Sequence, residues 1–412
     1  MVKKILALLA LFVFLSSTGC LRPVDGLDAE IIEDSETFMT ESGDEKLPLD
    51  TTHKEQAETE PPVKEEPKKA SFIGCGDNII YYGTWRDAAS KSDGTRKYNF
   101  KPIYDNVKDI IAEADIAFIN QETVCAQSFE VESYPTFNSP VDLTYDIADI
   151  GFDVVSLANN HMLDQGALGL RESYDNWNER GLCVIGCYEE KESGAYISYY
   201  EKNDIKIAFV AYTEFTNLAQ DPAREGLYAP YLKQSDVAAD ISEACASSDF
   251  VIVSVHWGEE GSFAPSQLQK KYAEIMAKNG ADVIIGHHPH VIQPIEWIAG
   301  KDGKETLCAY SLGNFVHEQD HDYNVPGGML SFDIVLEYGT HAKAENVRFI
   351  PTVCHFPRSF YDNKVYLLED YTEQLALSHA VRTYYNNTIS LERLIKYVTD
   401  TIAPEFLPDY LK

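Results

Sequence analysis

Residues Gly280 to Pro294 read GADVIIGHHPHVIQP, so the apolar run Val283–Ile285 is followed almost at once by His287, His288 and His290. Three imidazoles crowded behind one short run could be a metal-ligand set or a proton relay; singly, each would be a packed residue. Four other runs end in the same way. SFIGCG ends in Asp77, DIAFI in Asn120 and Glu122, FDVVSLA in Asn159, Asn160 and His161, and DFVIVSV in His256. Carboxylate oxygen, amide oxygen and imidazole nitrogen are donors that divalent metals accept. Each residue also has a plainer role. Asp77 and Asn159-Asn160 can shape turns, Glu122 can be a solvated charge, and His256 can be a hydrogen-bonded strand-end residue. Their shared placement at five strand ends favours one joint metal site, because ligands of α/β proteins bind outside the carboxyl ends of the strands.

The elements that must hold these residues alternate from Ser71 onward. SFIGCGD, DIAFINQE, FDVVSLANNH, CVIG, IKIAFVAYT, DFVIVSVHWG, ADVIIGHHPH and TLCAYSLGNF have strand character. Between them lie IYDNVKDIIAEA, YDIADIG, RESYDNWNERG, SDVAADISEACASS and PSQLQKKYAEIMAKNG, with helical spacing and, in the last, a closing Asn279-Gly280. This alternation predicts an α/β sheet protein, and the continuous runs VIIG and VIVSV predict sheets buried on both faces. MLSFDIVLEY and AENVRFIPTVCHF predict antiparallel strands, and HAVRTYYNNTISLERLIKYV predicts a helical extension, over 361–412, packing on the main domain. Glu214 and Asn217 follow a strand and line the pocket or its rim. Trp257 reads as a packed residue, and His317 and His321, in HEQDHD, as part of a solvated loop.

The N-terminus carries a different message. MVKK, the 11-residue apolar run ILALLALFVFL and SSTGC have the outline of a secretory signal peptide, too short in its apolar part to span a bilayer. Thr18-Gly19-Cys20 resembles a bacterial lipobox, with Ser17 where leucine is usual. Lipidation at Cys20 would leave a lipoprotein anchored outside the cytoplasm, and ordinary cleavage and secretion is the alternative. Residues 21–70 hold 15 acidic and 6 basic residues and one aromatic, Phe38, a composition that predicts a disordered acidic linker. The expected division is therefore 1–20 leader, 21–70 linker, 71–360 main domain and 361–412 extension. Seven further cysteines without repeated spacing predict buried thiols rather than a disulfide framework, with one bridged pair, such as Cys183–Cys187, left open. The whole chain has 34 basic and 66 acidic residues, a net charge of −32. Such a surface excludes nucleic acid as a partner and repels any polyanion unless a cation offsets the field locally.

Gly76-Asp77, Asn120–Glu122 (NQE), Ser156–His161 (SLANNH), His256–Gly258 (HWG), Gly286–Val291 (GHHPHV) and Ser311–Phe315 (SLGNF) occur in that order. Together they resemble the CapA family of poly-gamma-glutamate or capsule synthesis proteins and, more distantly, calcineurin-like metallophosphoesterases. The resemblance implies an αββα sandwich of two mixed sheets flanked by helices, with two divalent ions (manganese, iron or zinc) bridged by a carboxylate. By position, Asp77 would bind the first ion, Glu122 would bridge with Asn120 beside it, and Asn160 and His256 would bind the second. His288 and His290 would close the set, and His161 would act as general acid. Asn159, His287 and Asn314 would orient these groups or touch substrate. The Asp-x-His of metallophosphoesterases is Asp77-Asn78-Ile79 here, and Gly-Asp-x-x-Asp becomes Asn-Gln-Glu, so one imidazole is missing and the bridge comes from a longer side chain. Two functions are implied. One is a membrane-tethered hydrolase acting on a phosphoester or on an amide of a cell-envelope polymer. The other is a non-catalytic, metal-containing component that handles an anionic polymer during synthesis or export. A polymer synthase complex is the implied partner.

Overall fold

In the computed structural model, which describes residues 66–191 and 194–412, the alternating runs form two mixed sheets. The leader, Cys20 and the linker up to residue 65 lie outside the described residues. The chain begins with β1 (Lys68–Asn78), α1 (Tyr82–Ser90), α2 (Lys108–Glu113), β2 (Ile116–Gln121), α3 (Asp142–Ile150), β3 (Val154–Ser156), α4 (Gly166–Glu179) and β4 (Cys183–Ile185). The four strands run parallel in the order β1-β2-β3-β4. Next come β5 (Tyr188–Glu189), β6 (Ser198–Lys202), β7 (Ile205–Thr213), β8 (Leu227–Tyr228), α5 (Val237–Ser247), β9 (Phe250–His256), α6 (Gln267–Asn279), β10 (Val283–His287), β11 (Ile295–Ala299) and β12 (Glu305–Ala309). They build a second sheet ordered β11-β12-β10-β9-β7-β6, with β5 and β8 paired separately. Finally β13 (Asn314–Val316) joins β1 in parallel, while β14 (Pro326–Leu336), β15 (Lys343–His355) and β16 (Lys364–Leu367) extend the first sheet antiparallel. Helices α7 (Glu373–Ser378), α8 (Ala380–Thr383) and α9 (Leu391–Thr401) follow.

The period-2 pattern of the second sheet explains how the layers stack. Ile207, Phe209 and Ala211 of β7, with Phe250, Ile252, Val283 and Ile285, join the core shared with Phe72, Phe118 and Phe332 of the first sheet. The alternate residues Ala208, Val210, Tyr212, Val251, Val253 and Ile284 face Ile241, Ala244, Ala273 and Met276 of α5 and α6. A strand whose two faces are both apolar must be covered on both sides, and here a sheet and a helical layer do so. Phe250 and Phe332 meet across the two sheets at 6.1 Å between ring centroids. α6 starts at a full capping box, Ser266 with Gln269, and ends at Gly280 in the left-handed region.

Several expectations change in detail. β1 starts at Lys68, because Lys68 and Lys69 pair with Leu336 and Val335, so the ordered sheet reaches into the stretch expected as linker. TLCAYSLGNF is not one strand. Its first half is β12 in the second sheet, its last residues enter β13 in the first, and Tyr310–Gly313 crosses between the sheets. The tail is not one helix either: Asn386 adopts φ 60° and Ser390 caps α9 afresh. His317 and Glu318 are buried rather than solvated, while the His321 side chain is 43% exposed. Trp257 is packed and donates from Nε1 to the carbonyl of Tyr310 at 3.0 Å. Cys75, Cys125, Cys187, Cys308 and Cys354 are buried and all seven described cysteines are free, so Cys183 and Cys187 are not bridged.

Away from the strand ends, His355 and His379 are buried beside each other, ring centroids 5.2 Å apart. Their polar partners are neutral: Tyr371 Oη at 2.8 Å from His355 Nδ1, the Cys354 carbonyl at 3.0 Å from His379 Nε2, and the Val381 N–H, which donates to His379 Nδ1 at 3.1 Å. Burial pushes the two imidazoles down to about 4 and about 3. The unfolded chain then binds more protons than the folded one below pH 6.5. Their contribution to stability is complete above pH 6.5 and is lost as pH falls toward 4, on the order of 5 kcal/mol for the pair. Urea unfolding is expected to be flat in this respect from pH 7 to 8 and to weaken steeply from pH 6 to 4. His379→Asn should flatten the acid limb; equal steepness in that variant would contradict the account.

Candidate metal centre

The parallel strands of both sheets finish at one edge. β1 delivers Asp77, β2 leads into Glu122, and β3 leads into Asn159, Asn160 and His161. β9 ends on His256, β10 ends on His287, and His288 and His290 follow in the next turn. Asp77 pairs in register with Asn120 and Asn314, and His256 with His287, so these positions are level across their sheets. The Ser311–Gly313 crossing ties the two sheets at this edge. The Asp77 N–H donates to the Gly313 carbonyl at 3.0 Å, and the Leu312 N–H donates to the Gly286 carbonyl at 3.2 Å. Gly76 and Gly286 are bare because the crossing backbone lies where their Cβ atoms would stand.

All the expected ligands are buried, and the geometry brings them together. Asp77 Oδ1 accepts from Asn120 Nδ2 at 2.8 Å and lies 3.1 Å from His287 Nδ1. Its other oxygen accepts the His288 N–H at 3.1 Å and lies 3.4 Å from His290 Nδ1. Glu122 Oε1 lies 3.6 Å from His290 Nε2 and 3.9 Å from His256 Nε2, and that nitrogen is 3.0 Å from Asn160 Oδ1. Donors held at about 2.1 Å on one ion stand roughly 3.0–3.5 Å apart, so these separations suit shared cations at least as well as pairwise contacts. His290 Nδ1 lies 3.0 Å from Asn314 Oδ1, which assigns a proton to Nδ1 and turns Nε2 toward Glu122. Asn159 is spent on the turn. Its Nδ2 donates to the Gln121 carbonyl at 2.9 Å and its Oδ1 accepts the His161 N–H at 3.0 Å.

Orphaned atoms test whether cations fit. Both oxygens of Glu122, Asn120 Oδ1, His256 Nδ1, His287 Nε2 and His288 Nδ1 are buried with no hydrogen-bond partner. Buried polar atoms are normally satisfied, and a concentration of unsatisfied acceptors marks an ion site. Among the described residues, Asp77 and Glu122 have only histidines as basic neighbours, with no lysine or arginine. Burial, partly offset by His290 and reinforced by Asp77 and Glu260, pushes the Glu122 carboxyl well above its usual range. His290, although burial opposes it, is raised to about 9 by Glu122 and Asp77. His288 is pushed down to about 3 by burial and by His290. Asp77, Glu122 and His256 form one group that could hold an ion, and Glu260, His288 and His290 form another. His288 and His290 take φ 96° and φ 55°, a left-handed backbone that costs energy in residues other than glycine and recurs at functional sites.

His161 stands slightly apart. Its Nδ1 lies 2.7 Å from Asp164 Oδ2, which also accepts the Phe137 N–H at 2.7 Å. Phe137 packs edge-on against the ring, and Asn217 Nδ2 is 3.3 and 3.4 Å from its two nitrogens, which places the amide over the ring face. Sequence reasoning did not find Asp164; its signal is the His-x-x-Asp spacing. It also missed Glu260, in the turn after β9. Glu214 sits on the rim, paired with Lys233 at 3.0 Å and accepting the Gly258 N–H at 3.2 Å. Phe215 packs edge-on against His288 and also lines an adjoining cavity of about 610 Å³ with Thr216, Gln220, Arg224 and Tyr231.

The family model for the bacterial capsule synthesis protein PGA_cap matches residues 71–319, more than half of the chain. The PGA biosynthesis protein CapA of Bacillus subtilis (strain 168) is 35% identical over 181 residues, 42% of this chain and 44% of that protein. The capsule biosynthesis protein CapA of Bacillus anthracis is 33% identical over 177 residues, 42% of each chain. The match thus spans less than half the length of either relative. Among solved structures, the calcineurin-like phosphoesterase YfkN from Bacillus subtilis aligns over 80% of this chain and 99% of that one, at 12% identity and a TM-score of 0.40. A 5'-nucleotidase precursor from Thermus thermophilus aligns over 73% and 54%, at 11% identity and a TM-score of 0.41.

Proposed function

Because the chain belongs to the bacterial capsule synthesis protein family PGA_cap, we propose that it is a metal-dependent hydrolase of a cell-envelope polymer, acting on a phosphoester or amide bond. It works outside the cytoplasm, held to the membrane by lipid on Cys20, with residues 71–360 as its catalytic unit and 361–412 as cover. No described helix is long and apolar enough to cross a membrane. Two divalent cations, manganese, iron or zinc, would neutralise charge on the scissile group and acidify water there. Asp77, Glu122, Asn160, His256, His288 and His290 would hold them, with Asn120, His287 and Asn314 fixing the orientation of those side chains.

The observation that carries the enzymatic reading is the His161–Asp164 pair. A site that only binds an ion has no use for an imidazole fixed in one tautomer at its edge. Asp164 takes the Nδ1 proton at 2.7 Å, so Nε2 is the atom that gives a proton to the departing oxygen or nitrogen. The Phe137 ring and the Asn217 amide restrict the imidazole from two other sides. An anionic polymer is repelled by the −32 chain at long range. Locally it would meet cations at the ligand cluster, and Arg224, exposed on the cavity wall.

The test is hydrolysis of a generic phosphodiester and of poly-gamma-glutamate by the full-length, metal-loaded protein. His161→Ala should lower kcat by about 10²–10⁴-fold with bound metal unchanged. A metal-loaded protein that turns over neither substrate would sink the hydrolase reading and leave the binding component, which also serves capsule polymer synthesis, in its place.

A further inference from the structure

The missing imidazole of the Asp-x-His motif would leave a two-ion site short of one donor, and the strand that should supply it cannot. Ile79 holds that position, buried, with its N–H donating to the Val316 carbonyl at 2.8 Å. Asn78 is spent as well: Nδ2 donates to Gln121 Oε1 at 2.7 Å and Oδ1 accepts from Tyr104 Oη at 2.8 Å.

We infer that Glu260, from the turn after β9, makes up the donor count and is a metal ligand of this site, in one set with His288 and His290. A Glu260 carboxylate oxygen and ring nitrogens of His288 and His290 all lie within 4.8 Å of one another. The turn is built to hold it there. Gly258 and Gly261 take φ 94° and φ 73°, values that glycine adopts without strain. The Gly261 N–H donates to the Pro289 carbonyl at 2.8 Å, which pins the turn on the His288-Pro289-His290 segment. The Trp257 N–H donates to the His287 carbonyl at 3.1 Å from the other end. Glu260 is exposed at the mouth of the site and has no lysine or arginine partner among the described residues, whereas Lys233, in the rim, is paired with Glu214. His288, in the same donor group, has its Nδ1 buried and unpartnered, an independent sign that something other than protein completes the site. Three carboxylates, Asp77, Glu122 and Glu260, thus stand around His290 with no lysine or arginine among the described residues to balance them. That is the charge pattern of a site made for divalent ions.

This inference rests on the metal-dependent reading above, and the experiment separates the two. Full-length protein is loaded with Mn²⁺, desalted, and its metal per chain measured by mass spectrometry, with affinity from chelator competition and the ion environment from electron paramagnetic resonance. Wild type is expected to retain two ions. Glu260→Gln should retain about one, or hold the weaker ion at least about tenfold less tightly, with an altered resonance. Glu260→Asp should recover part of the loss, and Glu259→Gln, one residue away, should match wild type. Unchanged stoichiometry, affinity and resonance in Glu260→Gln would overturn the assignment alone. A wild type that retains no ion would overturn both it and the proposed function.

Discussion

Glu122→Gln is expected to abolish metal uptake and turnover while making the metal-stripped protein more stable. Both oxygens of Glu122 are buried without a hydrogen-bond donor, and the residue shares its surroundings with Asp77. A buried carboxylate that accepts no hydrogen bond and faces a second carboxylate is costly even with imidazoles nearby, and its removal relieves that cost, on the order of 1–3 kcal/mol. A neutral amide would hold divalent cations far less well than the carboxylate, so activity should fall by about 10³-fold or more. The sign of the stability change is the discriminating part. In chelator, Glu122→Gln should melt above wild type; with metal in excess the order should reverse. A variant less stable than wild type under both conditions would mean that Glu122 is an ordinary structural residue.

Gly286→Ala should be the most damaging substitution per atom added. The residue lies inside β10, paired with Val255, in ordinary extended backbone, so conformational freedom is not why glycine stands there. The reason is space. A Cβ would fall on the carbonyl oxygen of Tyr310, 2.5 Å from its carbon and 2.7 Å from Trp257 Nε1. That carbonyl accepts from Trp257 Nε1 at 3.0 Å, and Gly286 itself accepts the Leu312 N–H. Neither neighbour is a flexible side-chain end that could swing away. The crossing strand would be forced from the edge of the second sheet, at a cost of about 3 kcal/mol or more. Chemical denaturation should show this loss, together with reduced metal affinity, because the same crossing carries Asn314 to His290. A variant within about 1 kcal/mol of wild type, close to the ordinary scatter of surface substitutions, would show that the crossing is not rigid.

The strand ends were legible because apolar runs announce parallel strands and polar residues at their carboxyl ends stand out against them. Asp77, Glu122, Asn160, His256, His288 and His290 were visible for that reason, and the geometry brings them within reach of one another. Asp164 was not, since an acid three residues after His161 looks like turn chemistry until Phe137, distant in sequence, is seen to donate to it. Glu260 hid in a Glu-Glu pair that reads as solvated surface. SLGNF stands out as a motif but reads as the end of a strand, because no local pattern shows that a chain changes sheets. His317 looks solvated from its acidic neighbours, yet Cys354, packed beneath β13, encloses it: its N–H reaches Cys354 Sγ at 3.4 Å. In each case the deciding contact comes from far along the chain.

The candidate ligands are divided between layers: Asp77, Glu122 and Asn160 end or follow strands of the first sheet, and His256, His288 and His290 end or follow strands of the second. Asp77 and His287, in contact, are 210 residues apart in sequence. An ion shared by such donors is therefore a reversible cross-link, and unlike a disulfide it departs when the chain unfolds. Its contribution to cohesion follows mass action, rising by about 1.4 kcal/mol for each tenfold excess of free ion over the dissociation constant. On the proposed reading, the robustness of this sandwich would be set partly by its surroundings, and a shortage of the ion would loosen the fold at the same edge where it would silence the chemistry.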